Sequence, residues 1–357
     1  MKKVLVYGSY GYTGELIVAQ AVKQGLGLLL AGRDESKLRA QAERYGLEYR
    51  AFSLDDTAAL DSALQETDAV LHCAGPFVLT FRQMAEACIR NKKHYVDISG
   101  EIEGFEALAQ MDVDAKRAGM MLLPGGGFDV APSDCLSAYV AGKLPNATHL
   151  NLYIKSIGSG VSRGTARSGI ENMHRQGRIR RDGKIQTVPG AWHIKRVDFG
   201  RGASRVVSIG WGDVSTAYHS TGIPNITAYM GFPNAMINAL YLTRVIGPLL
   251  YMRPMKNFLK WLIGVLNPMG PSKYKNEHGF ALLIAEVSDG KQTVRAKLRT
   301  PEAYYLTALT SVEIMKRILN GDPSTGSGQG YKAGFQTPST AYGADFILGF
   351  DGVERTD

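Results

Sequence analysis

Short apolar runs alternate with amphipathic stretches along the first 135 or so residues. Val4–Tyr7, Leu28–Ala31, Tyr49–Phe52, Ala69–Cys73, His94–Ile98 and Met120–Leu123 are mainly apolar and have the length of buried strands. Between them Glu15–Gln24, Glu35–Tyr45, Thr57–Glu66, Thr80–Asn91 and Ile102–Ala118 carry apolar residues at helical spacing. Gly125-Gly126-Gly127 follows the sixth run, and a helix is predicted around Pro132–Ala141. Strand and helix alternating in this way predict a parallel sheet covered on both faces, a doubly wound α/β domain.

After Pro145 the pattern changes. Leu150–Lys155, Ile185–Val188, Val206–Ile209 and Ile226–Met230 read as strands, and Phe280–Val287 and Thr293–Leu298 flank Asp289-Gly290, a hairpin signal. Thr300-Pro301 is expected to open a helix to about Leu319, with proline at the first helical position and Gly321 just past its end. Gly326–Gly330 reads as a flexible linker, and a last helix is expected at Pro338. The expected organisation is α/β. A Rossmann-type nucleotide domain covers 1–135. A mixed α+β domain dominated by an antiparallel sheet covers 136–325, for substrate binding or dimerisation. A linker and C-terminal segment, 326–357, returns to the first domain.

The stretch 235–270 is apolar but is broken by Arg244, Arg253, Lys256 and Lys260 and by Pro248, Pro254 and Pro268. A spanning helix needs about 20 uninterrupted, mostly apolar residues, so this stretch is not expected to span a bilayer. It suits core or homodimer packing, a lid, or a peripheral membrane contact with basic edges and Trp261. Met1-Lys2-Lys3 leads directly into the first strand without the long apolar region of a secretory signal, which predicts a cytoplasmic protein, with peripheral membrane association as the variant.

The 357 residues are 45% hydrophobic and 21% charged, enough to bury a sizeable core and too many for one. Three scattered cysteines rule out a disulfide framework, and no metal site is expected. Between Arg163 and Arg205 the charge sums to +8, the value for the whole chain, so the remainder is neutral. Such a run is either a solvated face or a surface that meets an anion. It carries glycines and a single Trp where regular aromatic stacking positions would be needed, so nucleic acid is not an expected partner.

The most informative motif is Gly8-Ser9-Tyr10-Gly11-Tyr12-Thr13-Gly14, between the first strand and the first helix. Gly8 permits the turn, Gly11 lets the backbone approach a pyrophosphate, and Gly14 lets the helix pack on the strand. The helix N-terminus then holds the anion. At the end of the second strand, where the ribose selector of a dinucleotide site belongs, stands Arg33, with Lys37 one turn on. A guanidinium there suits a 2′-phosphate, which favours NADP (NADPH) over NAD. Asp34 is expected to cap the helix that follows. Leu54 and Asp55 are expected beside the adenine, and Ala74, Gly75, Pro76 and Phe77 along the ribose and nicotinamide. Cys73 reads as a small buried residue.

Gly8–Leu16, Ala31–Leu38, Cys73–Phe77, Tyr95–Glu101 and Pro124–Asp134 together resemble the saccharopine dehydrogenase-like oxidoreductases, and within them the branch of trans-acting enoyl reductases. Gly164–Gly169 and Thr337–Gly343 extend the likeness beyond the nucleotide domain. The resemblance implies an NAD(P)-binding domain, a mixed substrate domain and hydride transfer, and leaves open an acyl or enoyl lipid substrate or an amino-acid or imine one. Asp97 and Glu101, at the end of the fifth strand, are the candidate catalytic residues, with Asp129 a third, and helix capping is the alternative for all three. Arg167, Trp211, Tyr218 and His219 are candidates to meet substrate. The competing expectation is an NADP(H)-binding protein without turnover, held at a lipid surface.

Overall fold

The computed structural model describes residues 2–158, 177–200, 202–238, 240, 241, 257, 261, 278–320 and 331–357. The linker at 326–330, Arg167 with the rest of 164–169, and most of 235–270 lie outside the described residues. No described helix is long and apolar enough to cross a membrane.

The chain begins with β1 (Lys3–Tyr7), α1 (Tyr12–Lys23), β2 (Gly27–Gly32), α2 (Glu35–Tyr45), β3 (Glu48–Ala51) and α3 (Thr57–Gln65). β4 (Ala69–His72), α4 (Phe81–Asn91), β5 (His94–Asp97), α5 (Ile102–Gln110), α6 (Asp112–Ala118) and β6 (Met121–Leu123) follow. Next come α7 (Ala131–Lys143), β7 (His149–Ile157), β8 (Gly177–Arg181), β9 (Lys184–Val188), β10 (Ile194–Asp198), β11 (Ala203–Ile209), α8 (Asp213–Thr221) and β12 (Asn225–Gly231). The hairpin β13 (Phe280–Ser288) and β14 (Thr293–Pro301) leads to α9 (Ala303–Asn320), β15 (Gly334–Phe335), α10 (Pro338–Tyr342) and β16 (Glu354–Thr356).

Two compact units result, Met1–Ala131 with Tyr304–Phe350, and Pro132–Ala303 with Asp351–Asp357. The division therefore differs from the 136–325 and 326–357 boundaries read from sequence, because α9 from Tyr304 onward packs with the first unit. Thr310 donates to the carbonyl of Gly126 at 2.7 Å, and the Phe128 N–H donates to Thr307 Oγ1 at 2.9 Å.

In the first unit the sheet order is β15-β6-β5-β4-β1-β2-β3, every described pairing parallel. The order reverses between β1 and β4, and ligands bind such sheets at the carboxyl ends of the strands beside that reversal. Leu5, Leu29, Val70, Tyr95 and Leu122 fill the core on one face of the sheet. Strands buried on both faces read as near-continuous apolar runs, which is why this half was clear in the sequence.

The second unit is built on a mixed sheet, β10-β11-β12-β7-β13-β14-β16, with β8 joining β12 and β9 pairing β8. β12 and β7 run parallel and the other pairings are antiparallel. Two expected elements are corrected. Pro301 ends β14, pairing with Phe280, and does not open a helix; a strand end tolerates its missing N–H, and α9 starts at Ala303. The single helix expected over 102–118 breaks at Met111, where Asp112 Oδ1 accepts the Phe335 N–H at 2.9 Å and Oδ2 pairs with Lys116 at 2.7 Å.

Candidate nucleotide site

β1 delivers the chain into the glycine turn, and Gly8 takes a positive φ of 85° there. A Cβ at Gly8 would stand 2.9 Å from the Ala74 nitrogen, and one at Gly14 would stand 2.5 Å from the Gly8 carbonyl oxygen. The turn is tied to its neighbours by Gly8 N–H to the Ala31 carbonyl at 2.7 Å and by Gly11 N–H to the Gly8 carbonyl at 3.0 Å. Gly11 is the N-cap of α1 and no side chain caps that helix, so its first turn presents backbone donors and the positive end of the dipole toward the cleft.

The turn is also braced from α2. Buried Gln41 donates from Nε2 to the Ser9 carbonyl at 2.9 Å and to Glu15 at 2.6 Å, and Glu15 also accepts from Arg44 at 2.6 Å and Tyr45 at 2.9 Å. The sequence reading missed this bracing. Its signal was the polar trio Gln41, Arg44 and Tyr45 at helical spacing.

At the end of β2, Asp34 is the expected N-cap of α2. Its carboxylate accepts from the Ser36 hydroxyl at 2.7 Å and the Lys37 N–H at 3.2 Å, and pairs with Lys37 Nζ at 2.7 Å. The hydrogen bonds from Lys37 and Ser36 hold its acidity at about 2. Lys37, expected beside the cofactor, is thus engaged with Asp34. Arg33 is exposed, and its guanidinium has no hydrogen-bond or ion-pair partner among the described residues. Its backbone N–H and that of Asp34 both reach the Tyr10 hydroxyl, at 3.3 and 3.2 Å. Leu54 is buried, and exposed Asp55 is held by Ser53 at 3.2 Å and Gln83 at 3.1 Å.

The Ala74–Phe77 loop is fixed by three side chains. The Thr80 hydroxyl donates to the Ala74 carbonyl at 2.8 Å and lies 2.9 Å from His72 Nε2. A hydroxyl has one hydrogen, so His72 donates from Nε2. Burial pushes this imidazole down to about 3, which keeps it neutral. Glu101 accepts from the N–H groups of Phe77 at 3.1 Å and Val78 at 2.6 Å. Asp97 accepts from Tyr95 Oη at 2.6 Å, Ser99 N at 2.9 Å and Gly125 N at 2.8 Å. The two carboxylates expected to act on substrate therefore position backbone, and neither caps α5 through its side chain. Cys73, expected to be buried, is only partly so, and its surroundings push the thiol up, in keeping with an inert residue.

Comparison with known proteins fits this geometry. The family model described as the saccharopine dehydrogenase NADP binding domain matches residues 4–123. Residues 4–123 are thus similar to the NADP binding domain of the saccharopine dehydrogenases. The human saccharopine dehydrogenase-like oxidoreductase is 26% identical over 204 residues, covering 50% of this chain and 47% of the relative. The lipid droplet localized protein of Caenorhabditis elegans is 30% identical over 145 residues, covering 37% and 34%. The chain spans about half the length, or less, of the curated relatives it matches. The apo saccharopine dehydrogenase (L-Glu forming) of Saccharomyces cerevisiae superposes with a TM-score of 0.64 at 13% identity, covering 100% of this chain and 99% of that one, a likeness of fold.

Asp129 follows the matched residues and belongs to the same compact unit. Burial, and then the charge of Glu101, push its carboxyl group up to about 7, and burial raises Asp97 to about 6. Gly100 leaves room for Asp129, since a Cβ at 100 would lie 3.0 Å from its Oδ2. Both aspartates bind protons more tightly folded than unfolded, so their own share of the stability falls as pH rises from about 4 to about 7, while His72, neutral when buried, contributes in the opposite sense from about 3 to 6.5. Asp129→Asn is expected to flatten the upper part of that fall. Urea midpoints at pH 4.5, 6 and 8 check it, and a native slope retained in the variant contradicts the assignment.

In the second unit, Tyr218 lies under the buried Arg180 guanidinium, 4.2 Å from ring centroid to Cζ, and Arg180 also donates to the Val214 and Gly183 carbonyls. His219 is exposed in the last turn of α8, and Trp211 is partly buried just before that helix. Tyr218 and His219 thus share the last turns of one helix, with Trp211 just before its start. Among the described residues no group of acidic, histidine and cysteine side chains is arranged to hold a metal.

Proposed function

We propose that this chain is an NADP-dependent oxidoreductase that moves a hydride between the nicotinamide and an acyl or enoyl lipid-type substrate. The observation that carries the reading is the glycine turn with its side-chain-uncapped helix, set beside an Arg33 at the end of β2 that has no partner among the described residues. NADP supplies the hydride chemistry itself, so no side-chain nucleophile is required. Residues Gly8–Gly14 would hold the pyrophosphate and Arg33 the 2′-phosphate. The Ala74–Phe77 loop, positioned by Glu101 and Thr80, would support the ribose and nicotinamide. Asp129 holds its proton close to neutral pH, which suits a group that gives or takes one beside the reacting atoms.

The lipid class is supported by the name of the nematode relative and by the exposed Met236, Tyr241 and Trp261 in the apolar stretch. An amino-acid or imine substrate is the alternative within the same chemistry. Trans-acting enoyl reduction is the specific form the motif resemblance suggests, and a cytoplasmic, peripherally lipid-associated location goes with it. The relative's name equally favours a second reading, NADP(H) binding at a lipid surface without turnover.

Calorimetric titration with NADPH and NADH, followed by NADPH oxidation assays with enoyl thioesters and with imines, tests the proposal. NADPH-selective binding with thioester-dependent oxidation is expected. Salt-sensitive flotation with anionic vesicles but no oxidation by either class would put the second reading in its place.

A further inference from the structure

Tyr10 has a task that phosphate binding by the glycine turn does not call for. The turn needs small residues at Gly8, Gly11 and Gly14, and nothing in that requirement asks for an aromatic ring between them. The Tyr10 ring lies across Gly32, where a Cβ would stand 2.6 Å from Tyr10 Cε1 and 3.3 Å from its hydroxyl. Its hydroxyl oxygen accepts two backbone N–H groups, from Arg33 at 3.3 Å and Asp34 at 3.2 Å. Lys37 Nζ, paired with the Asp34 carboxylate, lies 5.6 Å from the ring centroid, and the Arg33 guanidinium, with no partner among the described residues, extends from the same strand end. Two donors thus converge on one oxygen, with the Arg33 cation rooted alongside. That is an arrangement for an anionic oxygen, held instead by a neutral one.

We propose that the Tyr10 hydroxyl occupies the seat of a 2′-phosphate oxygen and yields it when NADP(H) binds, so that Tyr10 filters cofactors by their 2′ substituent. The inference rests on the reading of this cleft as an NADP site. A phosphate oxygen forms charge-assisted hydrogen bonds with the Arg33 and Asp34 N–H groups, about twice as strong as those to a neutral phenol, and it brings Arg33 with it. The 2′-hydroxyl of NAD is another neutral oxygen and gains nothing over the phenol it would displace. In the ligand-free protein the filled seat lowers apparent affinity, because only the fraction with Tyr10 displaced is competent to bind.

Adenosine 2′,5′-bisphosphate and AMP differ only in the 2′-phosphate. Calorimetry on the full chain is expected to show Tyr10→Phe binding the bisphosphate roughly five- to tenfold more tightly than native, with AMP unchanged within about twofold. With tyrosine rings isotopically labelled for NMR, one ring signal absent from Tyr10→Phe should shift with the bisphosphate and stay in place with AMP. A bisphosphate affinity that falls, stays the same, or changes in step with that for AMP overturns the proposal. A variant that loses both ligands overturns it as well, since the ring and not the seat would then be what matters. Native protein that binds the bisphosphate no better than AMP refutes the NADP reading itself, a result independent of the variant.

Discussion

A single methyl group added at Gly14 is expected to abolish NADPH binding. The new Cβ would stand 2.5 Å from the Gly8 carbonyl oxygen, 2.6 Å from that of Ser9 and 2.9 Å from the Ser9 carbonyl carbon. These are backbone atoms, so no flexible side chain can move aside. Both oxygens are already engaged, Gly8 with the Gly11 N–H and Ser9 with Gln41. Relieving the clash forces α1 away from the turn, breaks those hydrogen bonds and withdraws the helix N-terminus from the pyrophosphate. Overpacking of this kind costs roughly 1–3 kcal/mol of stability, several degrees in melting temperature. The dissociation constant for NADPH should rise by about a hundredfold or more, equivalent to roughly 2.7 kcal/mol. Gly142→Ala is the control, because a Cβ there meets nothing within 4 Å. Thermal melting and calorimetric titration read both variants. NADPH affinity within threefold of native in Gly14→Ala would remove the turn from the cofactor site.

Arg33→Ala should act on affinity alone. The side chain is exposed and has no hydrogen-bond or ion-pair partner among the described residues, so its removal is expected to leave the melting temperature where it was. A guanidinium can grip a phosphate with two parallel N–H bonds, and hydrogen bonds to charged groups contribute roughly 1.5–3 kcal/mol. NADPH binding is therefore expected to weaken by roughly ten- to a hundredfold, and NADH binding by less than about threefold. Equal losses for the two cofactors would show that Arg33 supports the turn or the adenine and not the 2′-phosphate.

What the sequence made legible was whatever is local. β1, β2 and β4–β6 are buried on both faces, so their apolar runs announce them, and the spacing of Gly8, Gly11 and Gly14 is a statement about backbone that glycine makes by itself. Arg33 follows from its place at the end of β2. The strands β8, β10 and β16 were missed because Arg178, Arg181, Lys195, Arg196 and Glu354 give them no apolar alternation; they are strands because a neighbouring strand pairs with them. The Phe335 N–H that Asp112 accepts just past the break at Met111 comes from far along the chain, and no local pattern contains it. Likewise the bonds from the N–H groups of Phe77 and Val78 to Glu101 were not legible, because sequence shows that a residue is acidic and not which donors fold onto it. His72, Thr80 and Gln41 escaped notice for the same reason.

The nucleotide unit is written in two separated passages of the chain, Met1–Ala131 and Tyr304–Phe350. β15, the strand that closes the sheet beside β6, leaves the ribosome more than two hundred residues after the strand it covers. Throughout that interval the glycine turn and Arg33 already exist as polypeptide, while the β6 edge and the groups that receive α9 are still bare. Exposed strand edges invite pairing with other chains, so translation carries a window of vulnerability that ends only when the second passage arrives. A gene fragment cut after the last of the early strands would make that window permanent. The smallest useful cofactor-binding piece must therefore carry the 304–350 passage with it, spliced on or supplied separately.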